Sequence, residues 1–457
     1  MDDLAIRGAT VISNGALRRD ILISDGRVTA LTEPGAGSAR SEVDAVGLYA
    51  LPGIVDAHVH FNDPGRADWE GWEQGSRGAA AGGTTTVIDM PLNSLPPVLD
   101  GASFDRKRAA GERGSIVDFA LWGGLTGPEA VPLAELASRG VVGCKAFLCD
   151  SGVPEFAALD DARLVPAFRA AAAAGLLVAV HAEDDALVAT ATARVREAGH
   201  RDPGAWAASR PAQAEVRAVT RACEAAREAG ARLHIVHLSA AEALGPIGLA
   251  RDAGTDVTVE TCPHYLVFDE TDVAREGPLL KCAPPIRDTA NRELLWSALL
   301  GGRIDLVASD HSPCPGADKD RGREDIFAAW GGVSGAQSLL PALLTEARRR
   351  SDGLDLKAVL GFLVWRLCAK PAQRFDLWPR KGTIAVGSDA DVTLVDTERE
   401  WTLDAAALQT RSGRSPYTGR AFHGAVVRTI VRGTTVFDDG AFPVAPGHGR
   451  FVPAVRR

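Results

Sequence analysis

Between residues 53 and 309 the chain alternates eight short apolar runs with longer stretches rich in Ala, Arg and Glu. The runs cover 53–58, 84–90, 116–122, 141–147, 176–181, 233–237, 256–261 and 304–309. Each has the length of a strand buried on both faces, and the segments between carry helical patterns, as at 214–229 and 293–300. Strand and helix in regular alternation imply parallel strands with crossover helices, and eight such units make a (β/α)8 barrel. The repeat is architectural, with no repeated sequence beneath it. The flanks read differently. Asn14-Gly15 and Asp25-Gly26 each sit between alternating apolar segments, which signals tight hairpins. Strand-like stretches at 392–395 and 426–431 lie among Gly-rich turns. The expected fold class is α/β: a TIM-like (β/α)8 barrel over residues 51–378, with a small β-sandwich domain assembled from residues 1–50 and 379–457.

Composition narrows the partners. The formal net charge of −9 argues against broad attraction to nucleic acid or an anionic membrane. The basic run Arg348-Arg349-Arg350 is short and reads as a solvated helix face. The opening MDDLAIRGAT lacks the basic region and apolar stretch of a secretory signal, and no apolar run reaches the ~18 residues of a helical span. Seven cysteines, scattered and without a C-x-x-C pair, fit neither a disulfide framework nor a zinc ribbon. A cytoplasmic, reducing setting is the expectation.

The polar residues that interrupt the apolar runs fall at one end of the barrel. His58 ends the first run and His60 follows it. Lys145 lies near the end of the fourth. His181 closes the fifth, His237 closes the sixth, and Asp310 follows the eighth. All six stand at carboxyl ends of strands, where barrels place their chemistry. In His58-Val59-His60, extended backbone points both imidazoles the same way, so the pair can grip one metal ion. His181 and His237, from neighbouring strands, can grip a second, and Asp310 can add an oxygen ligand or handle a proton. A single strand-end histidine is most often only a satisfied polar residue; six polar strand-end residues at one rim are what point to metal binding. Lys145 reads either as a surface-loop lysine or as something chemically different. An ammonium beside two dications would be repelled. A neutral amine can take up carbon dioxide as a carbamate, and that anion could bridge the pair.

The segments PGIVDAHVH, GGTTTVIDM, GCKAF, VHAE, IVHLS, ETCPHYL, SDHSP and KGTIAVGSDADVTLVD stand in the order seen in the cyclic amidohydrolases, which the chain resembles over essentially its whole length. The resemblance implies a hydrolase that opens a cyclic amide with a metal-bridging hydroxide. It implies two divalent ions held by His58, His60, His181, His237, Asp310 and a carboxylated Lys145, with Asp310 also shuttling the proton. It implies zinc, although these ligands also suit cobalt, manganese or iron, and a homotetramer. The stretches FNDPGRADWEGW, DMPLNSLPP, KAFLCDSGVPEF, KCAPPIRD and AWGGVSGAQSLL most resemble the branch that hydrolyses allantoin to allantoate.

Two departures disfavour the neighbouring branches. Dihydroorotases carry an arginine two residues after H-x-H to clamp a carboxylate, and here Asn62 stands there. Hydantoinases and dihydropyrimidinases carry a tyrosine after the lysine, and residues 145–151 contain none. A non-catalytic scaffold, the rival outside enzymes, should lack metal ligands, and none of the six is missing. For the substrate, the resemblance points to Asn93 and Ser312 side chains and to backbone at Ala283 and Gly332. Asn93 reads equally well as a turn residue. His264 follows the seventh run and reads as structural or catalytic. His234, at odd spacing from His237, should face the helices as core. Cys282 and Cys314 read as small buried residues rather than ligands. Residues 312–330, long and polar, read as a lid.

Overall fold

The computed structural model describes residues 1–13, 15–351, 353 and 355–456. Eight parallel strands form the centre: β1 (Ile54–Val59), β2 (Thr84–Asp89), β3 (Asp118–Leu121, resumed at Gly123–Gly124), β4 (Cys144–Phe147), β5 (Val178–His181), β6 (Leu233–Ile235), β7 (Val257–Thr261) and β8 (Leu306–Val307). Each pairs with the next in sequence order. Beyond the eighth strand the chain meets the first through one parallel bridge, Val59 with His311, where the His60 amide donates to the His311 carbonyl at 2.8 Å.

Alternation along these strands explains their continuous apolarity. Val55, Ala57, Ile88, Ala120, Leu177 and Ala179 belong to an inner cluster. Ile54, Val87, Phe119, Leu121, Val178 and Leu233 pack outward against the helices. Helices begin where an aspartate can accept a backbone N–H: Asp100, Asp160, Asp184 and Asp288 each cap the helix that follows. The longest, Ala212–Ala229, buries Ala214, Ala218, Ala222 and Ala225 at helical spacing. It ends at Gly230, whose φ of 65° is the left-handed conformation glycine adopts without strain. At the end of the barrel opposite the strand carboxyl termini, Phe375 and Val452 pack against Trp122.

Both chain ends enter one eight-stranded sheet. Tyr49–Pro52 lies between Asp2–Ser13 and Val392–Thr402, and Ala421–Val431 and Thr434–Asp438 extend the sheet on the C-terminal side. The turn expected at Asp25-Gly26 joins two antiparallel strands, Gly15–Ser24 and Arg27–Thr32. Of the turn expected at Asn14-Gly15, Asn14 lies outside the described residues.

Two expectations change in detail. The eighth strand is only two residues long, because the chain leaves the ladder before Asp310, whose φ is 44°. The polar stretch 312–330 folds as a helix, Gly316–Asp320, and 3-10 turns at Arg321–Arg323 and Ile326–Ala328, with Cys314, Lys319 and Ile326 buried. Among the described residues, no helix is long and apolar enough to cross a membrane.

Candidate metal centre

His58, on β1, and His60, just beyond it, turn their Nε2 atoms to each other at 3.3 Å. Their Nδ1 atoms are occupied elsewhere. His58 Nδ1 lies 2.7 Å from Glu260 Oε1, and His60 Nδ1 lies 2.6 Å from the Leu92 carbonyl. Both partners are acceptors, so each Nδ1 carries the proton and each Nε2 keeps a lone pair. Asp310 Oδ1 completes the cluster, 3.3 Å from His58 Nε2 and 3.4 Å from His60 Nε2. Two lone pairs and a carboxylate facing each other in a buried space repel unless a cation sits among them.

A second pair stands beside the first. His181 Nε2 is 2.8 Å from Glu183 Oε2, which fixes the proton on Nε2 and turns an unprotonated Nδ1 to His237 Nε2 at 3.0 Å. His58 and His237 have ring centroids 5.4 Å apart, so the two donor groups are neighbours. His237 and Asp310 are both non-glycine residues at positive φ, 38° and 44°. Such strain persists only where surrounding structure enforces it, and it gathers at functional sites.

Lys145 is a buried β4 residue, not a surface-loop lysine. Among the described residues its amine makes no hydrogen bond or ion pair, and it lies 5.2 Å from the Phe147 ring centroid. Burial pulls its pKa down to about 8, against the opposing pull of Asp310 and Glu260. Its charge acts on His58, His181 and His237 alike, which sets it between the two halves. Burial lowers all three of those histidines. For Asp310, burial raises the carboxyl, but His58, His60 and His264 outweigh it and hold it well below the carboxylate range. The donor set therefore presents neutral imidazoles, an ionised carboxylate and an amine near neutrality, and it fits a pair of divalent ions.

The centre opens into a cavity of about 620 Å³ lined by all six of these residues and by Asn93, Ala283, Ser312 and Gly332. Gly332 must be glycine: its φ is 133°, and a Cβ there would fall 2.2 Å from the Ser312 carbonyl oxygen. The stretch 312–330 contributes to the wall through Ala329 and Trp330, and two buried lysines pin it. Lys281 Nζ donates to the Ala329 carbonyl at 2.5 Å, and Lys319 Nζ to the Gly332 carbonyl at 2.6 Å.

His264 is buried behind Asp310, off the cavity wall, and among the described residues neither ring nitrogen has a partner. Asn62 donates to the Pro313 carbonyl at 3.3 Å and does not line the cavity. Cys282 lines the cavity, Cys314 does not, and burial raises both thiols. His234 does not face the helices. It points inward, with Nε2 3.0 Å from Glu260 Oε2 and Nδ1 2.8 Å from Thr258 Oγ1. Period-two counting failed because the strand bends at His237.

Sequence reasoning missed Glu260 and Glu183, which stand behind the imidazoles, and Arg210, which pairs with Glu183 and lines the cavity. Glu260 left a signal, a lone charge inside the strand Val257–Thr261. Its carboxyl is raised by burial, yet His234 and His58 hold it at about 2. A further buried carboxylate group, Asp118, Asp389 and Asp391, is filled by the Lys381 ammonium.

Comparison with known proteins agrees with this architecture. The amidohydrolase family profile matches residues 49–436. An allantoinase of Solibacter usitatus is 47% identical over 98% of this chain and 96% of its own. An allantoinase of Rubrobacter xylanophilus is 48% identical over 98% and 97%. The solved L-hydantoinase of Arthrobacter aurescens superposes with a TM-score of 0.95 at 35% identity, covering 99% of this chain and all of that one. The chain belongs to the amidohydrolase family, on the branch that carries the allantoinases.

Proposed function

We propose that the chain hydrolyses allantoin, a cyclic ureide, to allantoate. The observation that carries this reading is the pairing of full-length similarity to allantoinases with a buried imidazole–carboxylate cage at the base of one cavity. The family implies a binuclear metal centre. The residues that would hold it are His58, His60, His181, His237, Asp310 and Lys145 as an N6-carboxylate, with zinc the first choice and cobalt, manganese or iron the alternatives. When bound, such a pair supplies Lewis acidity and a water acidic enough to ionise near neutral pH.

The chain's own residues do the rest. Asn93 and Ser312, with backbone at Ala283 and Gly332, hold the ring so that one amide carbonyl faces the cage. Water adds to that carbonyl carbon, and Asp310 accepts the water's proton. The ring C–N bond breaks, and Asp310 delivers the proton to the departing nitrogen, leaving an open ureide whose new carboxylic acid ionises by releasing its proton to solvent. A cytoplasmic homotetramer suits seven free cysteines and the resemblance to this family.

The test is ring opening by metal-loaded protein supplied with bicarbonate, comparing allantoin, hydantoin and dihydroorotate. Allantoin should be preferred. Preference for hydantoin would move the chain to the hydantoinase reading.

A further inference from the structure

Each half of the centre is braced by a different buried carboxylate. On the first side, Glu260 Oε1 holds His58 Nδ1, and its other oxygen rests on the His234 imidazole. His60 is held by a backbone carbonyl. Among the described residues no arginine takes part. On the second side, Glu183 Oε2 accepts from His181 Nε2 at 2.8 Å and from Arg210 Nη1 at 2.5 Å. Glu183 is fully buried, and among the described residues its other oxygen has no partner. Among the described residues Arg210 is therefore its only ion-pair partner apart from the imidazole.

Arg210 is itself fixed. Its guanidinium lies over the Trp206 ring at 4.6 Å, Trp206 Nε1 donates to the Cys282 carbonyl at 2.6 Å, and the Arg210 carbonyl accepts from Arg287 at 3.2 Å. A fork held on an aromatic face presents a rigid donor to a carboxylate.

We propose that Arg210 is a positioning residue for His181. Through Glu183 it keeps His181 Nδ1 turned to His237, so the metal position on the His181–His237 side depends on Arg210 and the position on the His58–His60 side does not. This rests on the reading of the two clusters as metal ligands. Removing the guanidinium leaves a buried carboxylate without its counter-charge, and the ring it holds loses its anchor. Partners that orient metal-bound imidazoles typically govern affinity by 10–100-fold.

The experiment is chelator titration of the purified holoenzyme, with metal content per chain as the readout. Wild type should hold two equivalents. Arg210→Met should release one of them at a chelator concentration about 10–100-fold lower and keep the other, with unfolding still cooperative. Arg210→Lys should fall between. Glu183→Gln, of equal volume, should reproduce the single loss and serves if Arg210→Met does not fold. Glu260→Gln should weaken the opposite equivalent. Two equivalents held as in wild type by Arg210→Met, or both lost together from a folded variant, would overturn the inference while leaving the metal reading intact. Fewer than two equivalents in wild type would overturn both.

Discussion

Glu260 and His58 are locked together at 2.7 Å, and the carboxylate that does this is wholly enclosed by the barrel. Glu260→Gln should therefore reduce affinity at the His58–His60 side by about 10–100-fold. Equilibrium dialysis at graded chelator concentration measures this, and an unchanged affinity would refute the bracing role.

Asp310 faces both imidazoles of the first cluster from a strained backbone position. Asp310→Asn should keep the fold by circular dichroism and lower kcat by about 10²–10⁴-fold. Near-normal turnover would remove Asp310 from proton transfer.

Among the described residues Lys145 has no charge partner, and burial draws its pKa down to about 8, which favours the neutral amine that attacks carbon dioxide. Apoprotein reconstituted with metal in carbon dioxide-free buffer should recover less activity than protein given bicarbonate. Lys145→Ala should lose metal in both buffers. Full recovery without bicarbonate, with Lys145 unmodified by mass spectrometry, would contradict the carbamate.

Gly332 packs against the Ser312 carbonyl at an angle only glycine tolerates easily. Gly332→Ala should cost about 1–3 kcal/mol in stability and raise KM as the wall shifts. Thermal unfolding and steady-state kinetics would both register the change; a wild-type KM would argue against substrate contact there.

Lys319 is buried, and burial lowers its pKa from 10.5 to about 8. The unfolded chain thus binds more protons between those values, and stability gains a rising contribution as pH climbs from 8 to 10.5. Below pH 8 the cost of burying the charge is fully present; above 10.5 it is relieved. Lys319→Met should lose that rise. Paired thermal melts across this window test it, and parallel curves for variant and wild type would refute it.

The six cage residues were legible because strand periodicity alone puts them at one rim and H-x-H on one face. The supporting layer was not. Glu260 meets His58 and His234 only after the strands have paired, and Arg210 reaches Glu183 from 27 residues away; Glu183 itself stands two residues after His181, where the sequence does not say whether its side chain turns back to the ring. His234 was misplaced because counting by twos assumes regular backbone, and His237 at φ 38° breaks it. Asn62, read from the sequence as the absence of a cationic clamp, lies off the cavity wall. Its bond to Pro313 arises from a loop some two hundred and fifty residues away.

The strand Tyr49–Pro52, wedged between Asp2–Ser13 and Val392–Thr402, has a consequence during synthesis on the ribosome. Its C-terminal neighbour emerges only after the whole barrel has been translated, tens of seconds later at ~5–20 residues per second. Throughout that interval the N-terminal strands present an unpaired apolar edge, the kind of surface that nascent chains shield with chaperones. The barrel can close early around its own local contacts, and the sheet that joins the two ends of the chain is the last part to be sealed.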